Sequence, residues 1–374
     1  MFQHTRINSD LNFFQKLKNL DYVLLVCIIL LSITSILVMY STDGGEFLYH
    51  TKSHATKLLV FFIMMLMISF FNIKFWHHLS YFFYFITILL LIYVSIFGIK
   101  VSGSQRWIDL YYIVLQPSEL MKIAVILCLA KYYHRVNVEK INSFISISLA
   151  LTLIFIPVIL VLAQPDLGTS ILIISSGLII LWLGGVKIKY FFVSFITFLI
   201  SLPFIISFLQ PYQKLRILTF LNPDRDPLGA GYQIIQSKIA IGSGGFFGKG
   251  FLNGSQSYLD FLPEKHTDFI FTLFSEEFGF FGSSFILLLY ILIISRLIKI
   301  GHETRSNFGK LYCYGFATAF FTYVTVNMGM VLGLLPIVGA PLPIMSYGGS
   351  SMLSIMFGLG IAMSCKIHRD SSFN

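Results

Sequence analysis

Residues 260–282 read DFLPEKHTDFIFTLFSEEFGFFG. The second half has the composition of a membrane-embedded helix, yet Glu264, Lys265, His266, Asp268, Glu276 and Glu277 fall within 14 positions. Ionisable groups set against hydrocarbon are costly, and where they occur they mark substrate paths or chemistry. The cluster therefore raises two linked questions: what kind of chain carries it, and what it is for.

Composition settles the first. Of 374 residues, 56% are hydrophobic and 11% charged, and the mean hydropathy is +0.81. A soluble domain carries roughly a quarter charged residues. Apolar runs of about 20 residues, each able to cross a hydrocarbon layer of about 30 Å as a helix, recur along the chain. The runs are unbroken, whereas barrel strands would be short and alternating. The expected fold is all-α and polytopic, one domain over 1–374, with ten spans at 21–40, 56–73, 79–98, 117–135, 142–162, 169–185, 190–209, 267–295, 311–332 and 346–364. Segment 21–40 has no small-residue cleavage site and reads as the first span. Cys27, Cys128, Cys313 and Cys365 lie in or beside apolar segments without metal-ligand spacing, so they read as packing residues.

A net charge of +9 would suggest a nucleic-acid partner in a soluble protein. Here fifteen Lys and Arg fall in connections on the side of both termini, against three in the short connections opposite. The positive-inside rule then places both termini in the cytoplasm and the long loop 210–266 outside, with no nucleic acid implied. Loops of this length are usually functional. This one passes through NPDRDPLGAGYQ (222–233), the amphipathic YQIIQSKIAIG (232–242) and the glycine-rich GSGGFFGKG (242–250) before reaching the acidic cluster.

The glycine run is not a Walker A loop: Ser243 stands where the first Gly is required, and Gly250 follows Lys249. Two readings stay open, a flexible turn or a nest of backbone N–H groups with Lys249 receiving a phosphate. QPSELMK (116–122) reads as a helix start, with Pro117 at the first position and Gln116 and Glu119 spaced as a capping pair. Lys122 follows one turn on; the two charges form a local ion pair, or face a polar cavity near the outer surface. Just upstream, GSQRWIDL (103–110) puts Arg106 at the same interface, as an anchor or a ligand for an anionic headgroup. In QPDLGT (164–169), Asp166 is placed to cap the helix from Leu167. GLLPIVGAPLPIMSYGGSS (333–351) reads as a broken segment lining a cavity, or as loop filler.

In the opening stretch a helix is expected from His266 or Thr267. Asp268 then lies in its first turn, sharing a face with Thr272, Ser275 and Gly279 on an otherwise lipid-compatible helix rich in Phe. A partly desolvated carboxylate flanked by Lys265 and His266 meets the conditions for a general base. An Asp that merely caps the helix is the alternative.

Taken together, GSQRWIDL, QPSELMKIA, QPDLGTS, NPDRDPLGAGYQIIQSKIAIGSGG, FLPEKHTDFIF with EEFGFFG, and PLPIMSYGGSSM resemble the SEDS glycosyltransferases (shape, elongation, division and sporulation) from about residue 101 to 353. The stretch DPLGAGYQIIQSKIAIGSGG is more similar to the elongation branch than to the division branch. The resemblance implies an enzyme of the bacterial inner membrane that polymerises lipid II, the undecaprenyl-pyrophosphate-linked disaccharide peptide, into β-1,4 glycan strands. It also implies a class B penicillin-binding transpeptidase and other elongation-machinery proteins as partners. The family's essential Asp falls on Asp268, and its cavity-lining residues on Arg106, Glu119 and Lys122. Arg106, Lys122 and then Lys249 or Lys265 are candidates to stabilise the pyrophosphate. No cofactor is assigned; a divalent ion (Mg or Mn) at Asp268 stays open. The competing readings are a lipid II flippase, a noncatalytic scaffold and the division-specific branch.

Overall fold

The computed structural model describes residues 11–101, 104–109, 114–208, 211–225, 229–254 and 264–371. Parts of the long loop, 226–228 and 255–263, lie outside that description. Thirteen α-helices follow in chain order: α1 (Phe13–Lys18), α2 (Tyr22–Thr42), α3 (Tyr49–Ser69), α4 (Ile73–Phe97), α5 (Pro117–Arg135), α6 (Phe144–Ala163), α7 (Leu167–Leu183), α8 (Ile188–Phe208), α9 (Pro211–Leu221), α10 (Ala230–Gly244), α11 (Ile270–Glu303), α12 (Asn307–Val331) and α13 (Gly349–Ile367). Ten of them, α2 to α8 and α11 to α13, coincide with the ten expected spans. The largest shifts are at the start of α3 and the end of α11.

By length and hydropathy alone, six helices among the described residues are long and apolar enough to cross a membrane: α2, α3, α4, α6, α11 and α13. α5 falls short because Glu119, Lys122, Lys131 and Arg135 interrupt its apolar run, and α7 has only 17 residues. The chain is a multi-pass membrane protein whose outer and inner faces are distributed accordingly. Large apolar side chains such as Phe192, Phe195, Phe198 and Phe204 of α8 point outward, while Ser80, Thr87, Ser176, Ser237, Thr272, Asn327 and Ser364 are buried. With lipid as apolar as the core, helix association relies on close packing and polar contacts. α5, α12 and α13 form the buried centre, with α13 against α3, α5 against α4 and α7, and α12 against α11.

Helix starts are fixed locally. Asp21 accepts from Leu24 N–H at 3.0 Å, Asp166 from Thr169 N–H at 3.1 Å and Ser306 from Gly309 N–H at 3.0 Å. Asp166 thus caps α7 as its sequence implies. The 98–116 connection holds a small antiparallel sheet, β1 (Ile99–Val101), β2 (Ser104–Asp109) and β3 (Val114–Leu115), in the order β1-β2-β3.

α11 is two helices joined at Gly279, whose φ of 62° and ψ of −158° break the ladder. The freed groups are satisfied by the glycine run of the long loop. Lys249 N–H and Gly250 N–H each donate at 3.0 Å, to the carbonyls of Glu276 and Glu277 respectively. Phe280 N–H in turn donates to Gly245 O at 2.9 Å, and Phe281 N–H to Phe246 O at 3.2 Å. A broken helix inside the membrane survives only with such replacement partners. A Cβ on Gly248 would run into the Glu277 carbonyl, and one on Gly279 into the Gly248 nitrogen. The run is therefore a packed clasp on α11, neither a flexible turn nor an open phosphate nest.

Candidate active site

α11 begins at Ile270, so Asp268 lies in the turn before it and not in its first turn. Main-chain contacts impose this. Tyr347 N–H donates to His266 O at 2.9 Å, Ser346 Oγ to Thr267 O at 2.6 Å and Asn327 Nδ2 to Asp268 O at 2.9 Å. Three successive carbonyls are thereby taken up by tertiary partners and are unavailable to a helix. The expected lipid-facing Phe surface is also revised: Phe269, Phe271 and Phe274 are buried because α10 and α12 pack around this half-helix.

The partner of the turn is segment 332–348, which is non-helical and turns under the site. Its freed carbonyls have named donors. Asn327 Nδ2 reaches Ala340 O at 2.7 Å, Tyr290 Oη reaches Pro343 O at 2.7 Å, Ser35 Oγ reaches Met345 O at 2.9 Å and Arg216 reaches Ile337 O at 3.1 Å. The segment is thus a broken, protein-buried element lining the site rather than filler.

Asp268 itself is half-buried. Burial, and next the Glu264 carboxylate, push its carboxyl up to about 7, with Arg216 acting in the opposite sense. Its Oδ2 would lie 3.6 Å from a Cβ placed on Gly339. A carboxyl titrating near neutrality can both take and release a proton.

The other residues singled out in the sequence divide into groups. Glu119 and Lys122 form a buried ion pair, 2.7 Å from Nζ to Oε1. Tyr323 Oη donates to Glu119 Oε2 at 2.6 Å and Ser354 Oγ to the same atom at 3.2 Å, while Lys122 Nζ sits 4.1 Å from the Tyr323 ring centre. Gln116 does not complete a capping box with Glu119; its Nε2 donates to Asp166 Oδ2 at 2.9 Å. The competition is decided by Lys122 and Tyr323, which hold Glu119 inside the bundle. Arg106 Nε donates to Gln164 O at 2.9 Å, another guanidinium nitrogen reaches Pro165 O, and Nη1 stands 3.7 Å from Asp166 Oδ2. Arg106 therefore braces the QPD turn.

Lys249 pairs with the buried Glu276 at 2.6 Å. Glu277 accepts from Ser41 Oγ and from the backbone of Leu252 and Gly254. Half of the acidic cluster thus fastens the loop to the break in α11. Lys265 shares the Asp268 turn and is half-buried. His266 stacks on His50 with ring centres 4.3 Å apart, and its Nδ1 lies 3.1 Å from Thr42 Oγ1. Asn327, Ser346, Tyr323 and Arg216 were not singled out from sequence. Asn327 carried a usable signal, a lone amide in an otherwise apolar span; Arg216, in a long polar loop, carried none.

Asp268 does not belong to a group of metal-type ligands among the described residues. The ligand atoms of Asp43, His50 and His266 do lie within 4.8 Å of one another. Their two imidazole planes differ by only 14° and stack. In-plane lone pairs then run side by side instead of converging on one ion, so the arrangement does not fit a metal as it stands.

The fold and site together define a polytopic membrane protein with a carboxylate held in the turn before α11. The chain belongs to the FtsW/RodA/SpoVE family, whose model, described as "Cell cycle protein", matches residues 15–371. It is 43% identical over 352 residues to the peptidoglycan glycosyltransferase MrdB of Escherichia coli K12, covering 94% of each chain. It is 38% identical over 329 residues to a probable peptidoglycan glycosyltransferase FtsW of Buchnera aphidicola subsp. Schizaphis graminum, covering 85% of this chain and 92% of that one. A chain from a solved peptidoglycan synthase complex superposes with a TM-score of 0.82 at 28% identity, covering 94% of this chain and 98% of that one. The rod-shape-determining protein RodA of Thermus thermophilus shares the fold, with a TM-score of 0.71 at 24% identity over 94% and 97% of the two chains.

Proposed function

We propose that this protein is a peptidoglycan glycosyltransferase of the elongation type, polymerising lipid II into β-1,4 glycan strands with Asp268 as general base. The observation that carries the reading is the fixed placement of Asp268: its own carbonyl and the two before it are held by Asn327, Ser346 and Tyr347, leaving the carboxylate uncommitted to the fold. The 43% identity to a relative named as such an enzyme supports the reaction class.

The chemistry follows from the substrate. A sugar hydroxyl is a poor nucleophile at neutral pH, so a positioned base must take its proton as it attacks. The donor's anomeric carbon carries pyrophosphate, and one in-line displacement inverts it. Such a displacement needs one base and a stabilised leaving group, without a second carboxylate as nucleophile. The buried Glu119–Lys122 pair supports the site from below, through α12. The partner is a class B penicillin-binding transpeptidase within the elongation machinery, and the location is the bacterial inner membrane with both termini in the cytoplasm. The excess of Lys and Arg on the terminal side supports that orientation.

The test is reconstitution with the transpeptidase and labelled lipid II. Asp268→Asn should assemble normally and lose about 10²–10⁴ in polymerisation rate, the usual worth of a general base. Near-normal polymer from the folded variant would sink the base assignment. Transport of lipid II without polymer by the wild type would replace the reaction class.

A further inference from the structure

Each cation that the sequence offered for the pyrophosphate, Lys265 aside, is committed elsewhere. Arg106 is spent on two carbonyls and Asp166, Lys122 on Glu119, and Lys249 on Glu276. Arg216, on α9 of the outer loop, differs. Its side chain is exposed. Among the described residues its guanidinium makes one hydrogen bond, 3.1 Å to Ile337 O, and no ion pair. Ile337 is two residues from Gly339, where a Cβ would lie 3.6 Å from Asp268 Oδ2. Arg216 and Asp268 therefore both border the short stretch of backbone from Ile337 to Gly339. Their fields still interact, since Arg216 acts on the Asp268 carboxyl.

We infer that Arg216 is the residue that receives the pyrophosphate of the polyprenyl-linked donor, beside the Ile337–Gly339 backbone that also borders Asp268. The inference rests on the glycosyltransferase reading and extends it to the leaving group. In the step, the acceptor hydroxyl oxygen forms its bond to the anomeric carbon as its proton passes to Asp268. The bond from that carbon to the pyrophosphate oxygen breaks, and the oxygen leaves with the electron pair. Arg216 meets the charge that develops there. A planar guanidinium with its remaining N–H donors unspent suits a two-pronged hold on a phosphate, which an ammonium would provide only as a point charge.

The experiment uses the full-length protein in nanodiscs and two readouts. The first is direct binding of undecaprenyl pyrophosphate, with undecaprenol as the uncharged control. Wild type should prefer the pyrophosphate, Arg216→Gln should lose that preference, and Arg216→Lys should keep part of it. Lys214→Gln, a neighbouring cation bonded to Ser207 O, should bind as wild type does. The second is polymerisation of lipid II with the transpeptidase present, where Arg216→Gln should fall by about 10²–10³, the loss typical of removing one charge-stabilising donor. Unchanged pyrophosphate binding by folded Arg216→Gln overturns the inference, as does a polymerisation rate within about threefold of wild type. Absence of polymer from the wild type would instead strike the reaction class, while the binding comparison would still decide the role of Arg216.

Discussion

Tyr323 and Asn327 stand one turn apart on α12, and each bonds a different part of the site. The Tyr323 hydroxyl donates to Glu119 Oε2 at 2.6 Å, and the Asn327 amide donates to the Asp268 carbonyl at 2.9 Å. A single helical turn thus links the buried ion pair to the backbone of the Asp268 turn.

Breaking the ion pair from one side leaves a buried charge without its partner, which costs about 3–5 kcal/mol. Glu119→Gln and Lys122→Met should each lower Tm substantially. The double variant should lose less than the sum, because no lone charge remains. Thermal melts of the purified protein test this, and additive losses would show that the two groups do not communicate.

Asn327→Leu keeps the branching and heavy-atom count of the side chain and removes both donors, leaving the carbonyls of Asp268 and Ala340 unsatisfied at about 1–3 kcal/mol each. The Asp268 turn should loosen, and polymerisation should drop by more than tenfold in protein that still melts cooperatively. Full activity in this variant would remove Asn327 from the positioning of Asp268.

The Asp268 carboxyl, raised to about 7 by burial and Glu264, must be ionised to act as a base. Below that pH, kcat/KM should rise about tenfold per unit, then level off above it. Glu264→Gln removes a like charge and should move the rising limb to lower pH. The same shift means the native state holds this proton more tightly than the unfolded chain does. Its contribution to stability is therefore full below the unfolded pKa of 3.8 and lost as pH rises through about 7. A flat rate profile between about pH 5.5 and 8 would contradict the base assignment.

The clasp on α11 separates two glycines that look alike in sequence. Gly248, with φ of 81°, has the Glu277 carbonyl where a Cβ would go, whereas nothing lies within 4 Å of a Cβ on Gly242. Gly248→Ala should destabilise the protein markedly. Gly242→Ala, in α10, should be neutral or stabilise by up to about 1 kcal/mol. Equal melting temperatures for the two variants would mean that the clasp is dispensable.

Orientation is checked by cysteine labelling in intact cells. Ser243→Cys, exposed in the outer loop, should react with an impermeant maleimide, and Lys187→Cys, exposed between α7 and α8, should react only after permeabilisation. The reverse pattern would invert the topology.

The spans were readable because hydropathy is a sum over about twenty residues, and local errors average out. Asp166 and Pro117 were readable because capping and helix initiation depend on neighbours within one turn. The start of α11 was not: its first turn is lost to Ser346, Asn327 and Tyr347, all at least 59 residues away. The break at Gly279 was hidden for the same reason, as only the clasp from 245–250 makes it affordable. Charge alone also misled, because a cation such as Lys249 looks available until its carboxylate partner is seen.

The way Asp268 is held has a genetic consequence. The tertiary hydrogen bond at Asp268 acts on its main chain, and the carboxylate contributes no hydrogen bond to the fold among the described residues. A chain altered only at that side chain keeps its shape, its membrane insertion and every surface that others recognise. Expressed beside the normal copy, it would occupy assemblies without turning over, so such alleles should behave as dominant poisons rather than simple losses.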